Sequence, residues 1–172
     1  MTRVPLLPEA DIVAMPETLE TVRRRRGGTL MDLDRLLLHS EPVTRGWHAL
    51  FGALASECDV DIRTRELALL RIGILNDGRY EYYQHRRIAL RAGITEAEIE
   101  GLKDWRASEL YTSRDRAVLA YTDAMTRDVQ VPDEVFEALR PHFNERQLVE
   151  LTANIAGYNM VTRFMEALAL VP

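Results

Sequence analysis

A single cysteine, Cys58, in 172 residues leaves this chain no partner for an intrachain disulfide and no all-cysteine metal site. No apolar run approaches the ~20 residues that a membrane-spanning helix needs, so no membrane partner is expected. Basic charge is also short: the net charge is −5 and the pI about 5.4, which argues against a nucleic-acid partner. The one basic cluster, Arg23, Arg24, Arg25 and Arg26, stands beside Gly27 and Gly28 and reads as a solvated helix C-terminus. His39, His48 and His142 have no carboxylate or histidine at metal-ligand spacing, so no metal is expected. No phosphate loop, dinucleotide fingerprint or serine-nucleophile elbow is present, and no cofactor is expected. The opening MTRVPLLPEADI has neither the apolar core nor the cleavage site of a signal peptide, so the expectation is a cytoplasmic protein.

What is there is an ordinary globular balance, 47% hydrophobic and 28% charged, in a chain the length of one domain. The periodicity is helical nearly throughout. After a loose, proline-bearing start, helices are predicted over 17–26, 30–40 and 43–57. The third of these carries Trp47, Leu50, Phe51 and Leu54 at core spacing. Thr64 is placed to cap a helix over 65–76, Asn76, Asp77 and Gly78 make a turn, and 79–92 follows, closing at Gly93. A capping box at Thr95 and Glu98 opens a short helix. Further helices are expected over 113–128, over 133–140 after Pro132, and over 145–156 and 158–170. These last two are separated, or bridged, at Gly157. The expected fold is all-α, a single-domain helical bundle.

Residues 63–93 carry the chemistry. Glu81 and His85 stand at i and i+4, on one face of a helix, and Glu66 lies on the helix before. Two carboxylates and an imidazole are what proton transfer to or from carbon or oxygen requires. Tyr80 and Tyr83 crowd the same helix and are packing residues or hydroxyl donors. Arg71, Arg79, Arg86 and Arg87 are candidates to bind a substrate carboxylate, with Arg71 nearest Glu66 by periodicity. Asn159 and Arg163, four apart, either reach the site from the last helix or make helix-end hydrogen bonds. A faint echo lays Gln147, Thr162 and Glu166 on Glu66, Glu81 and His85, as a duplicated helix hairpin or as chance.

The stretch 63–93 resembles the carboxymuconolactone decarboxylase family, which includes the AhpD-type alkylhydroperoxidases. The likeness rests on Glu66-Leu67, Tyr80-Glu81, Gln84-His85 and the closing Ala89-Leu90-Arg91-Ala92-Gly93, with a weaker one from Arg146 to Val161. The resemblance implies an all-helical AhpD-like bundle that associates as a homo-oligomer (dimer, trimer or hexamer) with sites near subunit interfaces. The peroxidase branch has glutamate, Cys-x-x-Cys and histidine at this spacing, but here Gly78 and Glu81 hold the cysteine positions. The decarboxylase branch lacks the thiols and keeps an acid and a histidine. It implies a cofactor-independent lyase, decarboxylase or isomerase, acting on a small carboxylated or lactone-like molecule. In that reading His85 is the acid/base, Glu81 sets its charge and tautomer, and Glu66 is a second proton carrier or a substrate-orienting group. Arg71, Tyr83 and Tyr80 would bind the substrate. The alternatives are a non-catalytic helical oligomer with a vestigial site and, less favoured, hydroperoxide reduction through Cys58.

Overall fold

The computed structural model describes residues 2–12 and 16–170, and among them every regular element is a helix. Part of the start read as loose, residues 1 and 13–15, lies outside the described residues; Glu9–Asp11 within that stretch is one 3-10 turn. Contacts divide the chain into two units. Residues up to Glu57 with 165–170 make the first, and Cys58–Phe164 makes the second.

The first unit holds α1 (Pro16–Arg25), α2 (Asp32–Leu37) and α3 (Glu41–Ser56). The chain leaves α1 through Gly27 and Gly28, with φ of 74° and 105°, a left-handed exit that glycine allows at little cost. Buried Val22, Leu33, Leu36, Leu37, Trp47, Phe51 and Leu54 form its apolar interior. Leu50, expected in the core, is 43% exposed. The buried stripe of α3 runs through Thr44, Trp47, His48, Phe51 and Leu54. At about 100° per residue its centre lies near Phe51, a quarter-turn from Leu50.

That stripe is turned toward His48 by a polar hub. Asp34, fully buried, takes a forked pair of bonds from Arg26 (3.0 Å each for the closest contacts) and the Met31 N–H at 2.9 Å. His48 Nε2 lies 3.2 Å from the same carboxylate, and Arg25 Nη1 lies 3.0 Å from His48 Nδ1. Burial raises the Asp34 pKa, and His48, Arg26 and Met31 together more than reverse that, holding the carboxyl below its usual value. Two of the four arginines read as a solvated helix end, exposed Arg25 and half-buried Arg26, are therefore tied to this hub.

The second unit is built round α4 (Ile62–Leu75). Leu67, Ala68, Leu69, Leu70 and Ile72 are all buried, so the helix has no solvent face over its middle turns. It begins three residues before the predicted start. Asp61, not Thr64, is the N-cap, accepting from the Thr64 N–H (2.9 Å) and hydroxyl (2.8 Å). Around it run α5 (Arg79–Arg91), α6 (Glu96–Gly101), α7 (Ser113–Arg127), α8 (Asp133–Glu137) and α9 (Glu145–Ala167). Capping boxes at Thr95/Glu98 and Thr112/Asp115 open α6 and α7, and Arg63 bridges the two acids. Pro132 is the N-cap of α8 rather than part of its first turn. The reciprocal bonds of Asn144 and Gln147 open α9, which continues unbroken across Gly157. The echo is thus not a repeated hairpin, because its second copy is one straight helix.

Arg71 has a structural occupation. It is 3% exposed and forks onto Asp123 of α7 (2.6 and 3.1 Å), and its Nη1 donates to the Leu102 carbonyl at 2.7 Å. Trp105 and Arg106 also donate to Asp123. A guanidinium so matched is not available to clamp a substrate, which corrects the expectation for Arg71. Removing its partner strands a buried cation, so Asp123→Ala is expected to lower the unfolding free energy by about 3–5 kcal/mol. Urea unfolding followed by circular dichroism measures this.

Candidate active site

The site depends on how α4 turns into α5. Asn76 ends α4 and Asp77 adopts φ 51°. The Gly78 N–H then donates back to the Gly73 carbonyl at 2.8 Å, a Schellman closure with aspartate where glycine is usual. Gly78 itself has an ordinary φ, and what it supplies is room. A Cβ there would lie 2.5 Å from the Thr162 methyl of α9. The turn is tied down by Asn159, which accepts from Asn76 (3.0 Å) and Arg163 (3.2 Å) and donates to Thr126 (3.0 Å). Asn159 therefore fastens the start of α5 and does not itself belong to the reacting group.

With α5 so placed, Glu81 and His85 share a face toward α4, where Glu66 meets them. His85 Nδ1 lies 2.8 Å from Glu66 Oε2, and its Nε2 lies 3.2 Å from Glu81 Oε2. The three residues are 5%, 6% and 9% exposed in the order Glu66, Glu81, His85. The Tyr158 ring of α9 meets the imidazole edge-on, centroids 5.0 Å apart. The structure thus brings together the three residues singled out in the sequence.

Burial alone would lower the His85 pKa. Hydrogen bonds to Glu66 and then Glu81, with the charges of both, outweigh it and push the value up to about 9. At neutral pH the ring is a cation, hydrogen-bonded to Glu66 through Nδ1 and ion-paired with Glu81 through Nε2. The carboxylates lie on opposite edges of the ring, so they form a line for protons rather than a chelate around one ion. Among the described residues no cluster of histidine, cysteine and acid side chains is set to hold a metal.

Other expected participants stand elsewhere. Tyr83 is 54% exposed, about 200° round α5 from Glu81, and does not share its face. Tyr80 is buried a quarter-turn away from Glu81. Arg79 and Arg87 are exposed, and Arg86 pairs with Glu96. Cys58 has its thiol pushed up by burial and by Glu150, the wrong direction for a reactive thiolate. Sequence reasoning gave Tyr158 no part in the site and placed Thr162 only in the echo; their i, i+4 spacing on α9 was the signal that they share a face. It also missed the Asp34–His48 hub, whose partners are too far apart in sequence to show a pattern. A groove of about 730 Å³ between α1 and α3, lined by Thr18, Arg25, Glu41, Arg45 and His48 among others, lies wholly in the first unit and includes none of the trio.

The raised His85 pKa sets a pH dependence. Its stabilising contribution is complete below the unfolded value of about 6.5 and is lost as pH climbs through about 9. The expected loss over that window is on the order of 3 kcal/mol. Urea unfolding at a series of pH values measures it, with His85→Gln expected to flatten the slope.

Residues 41–124 match the model of the carboxymuconolactone decarboxylase family, just under half the chain. An uncharacterised protein of Bacillus subtilis (strain 168), YdfG, is 28% identical over 114 residues, covering 65% of this chain and 78% of its own. A protein of unknown function from Agrobacterium tumefaciens that carries the AhpD label is 28% identical, with a TM-score of 0.73 over 78% of this chain and 93% of that one. The debrominase Bmp8, solved with 2,3,4-tribromopyrrole, shares the fold at a TM-score of 0.79 and 17% identity, covering 96% of this chain and 89% of its own.

Proposed function

We propose that this chain, which belongs to the carboxymuconolactone decarboxylase and AhpD-like family, is an enzyme whose side chains carry out acid–base chemistry on a small carboxylated or lactone-like molecule. The observation that carries the reading is the enclosed imidazole of His85 between the carboxylates of Glu66 and Glu81. Burying two anions and a cation costs more than filling the same space with apolar side chains. A helical protein that only needed to be stable would do as well with apolar side chains in that space, which weighs against the vestigial-site reading. Thiol peroxide reduction lacks its reagents, since Gly78 and Glu81 stand where the peroxidase branch has cysteines and the Cys58 thiol is held protonated.

The favoured reaction is decarboxylation or the related isomerisation. Loss of CO₂, or of a proton, leaves an electron pair that flows into a conjugated carbonyl and is then quenched by a proton at carbon. A line of carboxylate, imidazolium and carboxylate can supply and recover that proton.

The test is absorbance loss with carboxymuconolactone and a panel of unsaturated lactone acids. His85→Gln is expected to lower kcat by about 10²- to 10⁴-fold while helical content stays unchanged. Full-rate turnover by that variant, or no turnover of any compound by the wild type, removes the reading. Self-association belongs to the same proposal: sedimentation of the purified chain is expected to give a dimer, trimer or hexamer, and a monomer at micromolar concentration overturns that part.

A further inference from the structure

We infer that Glu81, rather than His85, is the group that exchanges the proton with the substrate, with His85 and Glu66 as the charged backing that positions it. This rests on the acid–base reading above and assigns its roles. A base needs a lone pair, and the imidazolium has none to give: Nδ1 is hydrogen-bonded to Glu66 at 2.8 Å and Nε2 is ion-paired with Glu81 at 3.2 Å. The ring's remaining surface is small and lies against Tyr158. The exchanging atom must then be a carboxylate oxygen, since each carboxylate uses only one of its two oxygens on His85.

The two acids are not equivalent. Glu66 makes the shorter contact and sits on α4, just before Leu67 and one turn before Leu70, both wholly buried, with the Arg71–Asp123 pair five residues further on. Glu81 makes the longer contact, at the upper end of the range for an N–H···O bond, and is the easier to release. It stands in the first turn of α5, a 13-residue helix whose N-cap, Gly78, offers no side-chain cap. The positive end of that helix favours charge arriving on Glu81 and on a substrate oxygen beside it. Glu66 thus fixes the imidazolium, and the imidazolium fixes Glu81 in orientation and charge.

In the isomerising form a substrate C–H bond breaks, its electron pair passes into the neighbouring carbonyl, and the proton forms an O–H bond on Glu81. Return of that proton to another carbon restores the carboxylate with no further reactant. In the decarboxylating form the carbon–carboxylate bond breaks and CO₂ leaves. The electron pair left behind takes a proton that His85 Nε2 passes through Glu81, and water then reprotonates the imidazole, its hydroxide joining the CO₂ as bicarbonate.

Two measurements test this. The full-length protein, treated with a water-soluble carbodiimide and glycine ethyl ester and mapped by peptide mass spectrometry, is expected to carry the amide at Glu81 and not at Glu66. Labelling of Glu66 to the same extent, or of neither, overturns the assignment without reference to turnover. With any substrate from the absorbance panel, Glu81→Gln is expected to lower kcat by about 10²- to 10⁴-fold, and Glu81→Asp to recover part of that loss. Glu66→Gln is expected to lose less in kcat and to shift the pH profile instead. Turnover that survives Glu81→Gln but not His85→Gln sinks this inference and leaves the acid–base reading standing.

Discussion

Two carboxylates and one imidazolium share a buried position in the second unit, and that cluster of charge sets terms for the elements round it. It is tolerable only while each ring nitrogen meets an oxygen at hydrogen-bond distance. That fixes the register of α5 against α4, because a slip of one residue on either helix would leave an ion unmatched. The Schellman turn at Asp77, the clasp of Asn159 on Asn76 and the missing side chain at Gly78 all serve that register. Hydrophobic burial along α4 supplies the bulk of the unit, and the polar trio makes one alignment of two helices preferred over its neighbours.

A second buried ion pair, Arg71 with Asp123, lies one turn further along α4 from Glu66 and shows how different a structural charge looks. Each nitrogen of that guanidinium donates to protein, to Asp123 or to the Leu102 carbonyl. The trio instead leaves oxygen capacity on both carboxylates. Complete satisfaction marks a fastener, whereas spare capacity inside a buried cluster marks a place where chemistry has somewhere to go.

Local signals in the sequence gave reliable guidance. The capping pairs at Thr95/Glu98 and Asn144/Gln147 mark helix starts, and the i, i+4 spacing of Glu81 and His85 marks a shared face, because each depends on neighbours within one turn. The cap at Asp61 was misplaced onto Thr64 because both residue types suit the position and only the hydrogen bonds decide between them. Leu50 was misread because His48, not an apolar residue, completes the buried stripe of α3. The occupation of Arg71 was invisible because Asp123 lies 52 positions away, and the hub at Asp34 depends likewise on tertiary contact. Hydropathy can say that an arginine is on a helix; it cannot say which acid the fold brings to meet it.

The close approach at Gly78 also limits which residues that position can hold. A cysteine at that position would carry its Cβ into the methyl of Thr162, at 2.5 Å. Placing paired thiols at positions 78 and 81 would therefore require the Thr162 side chain of α9 to move aside or be replaced. Such an interlock couples the two positions: with the neighbouring helix packed this closely, what residue 78 can be is decided in part by residue 162.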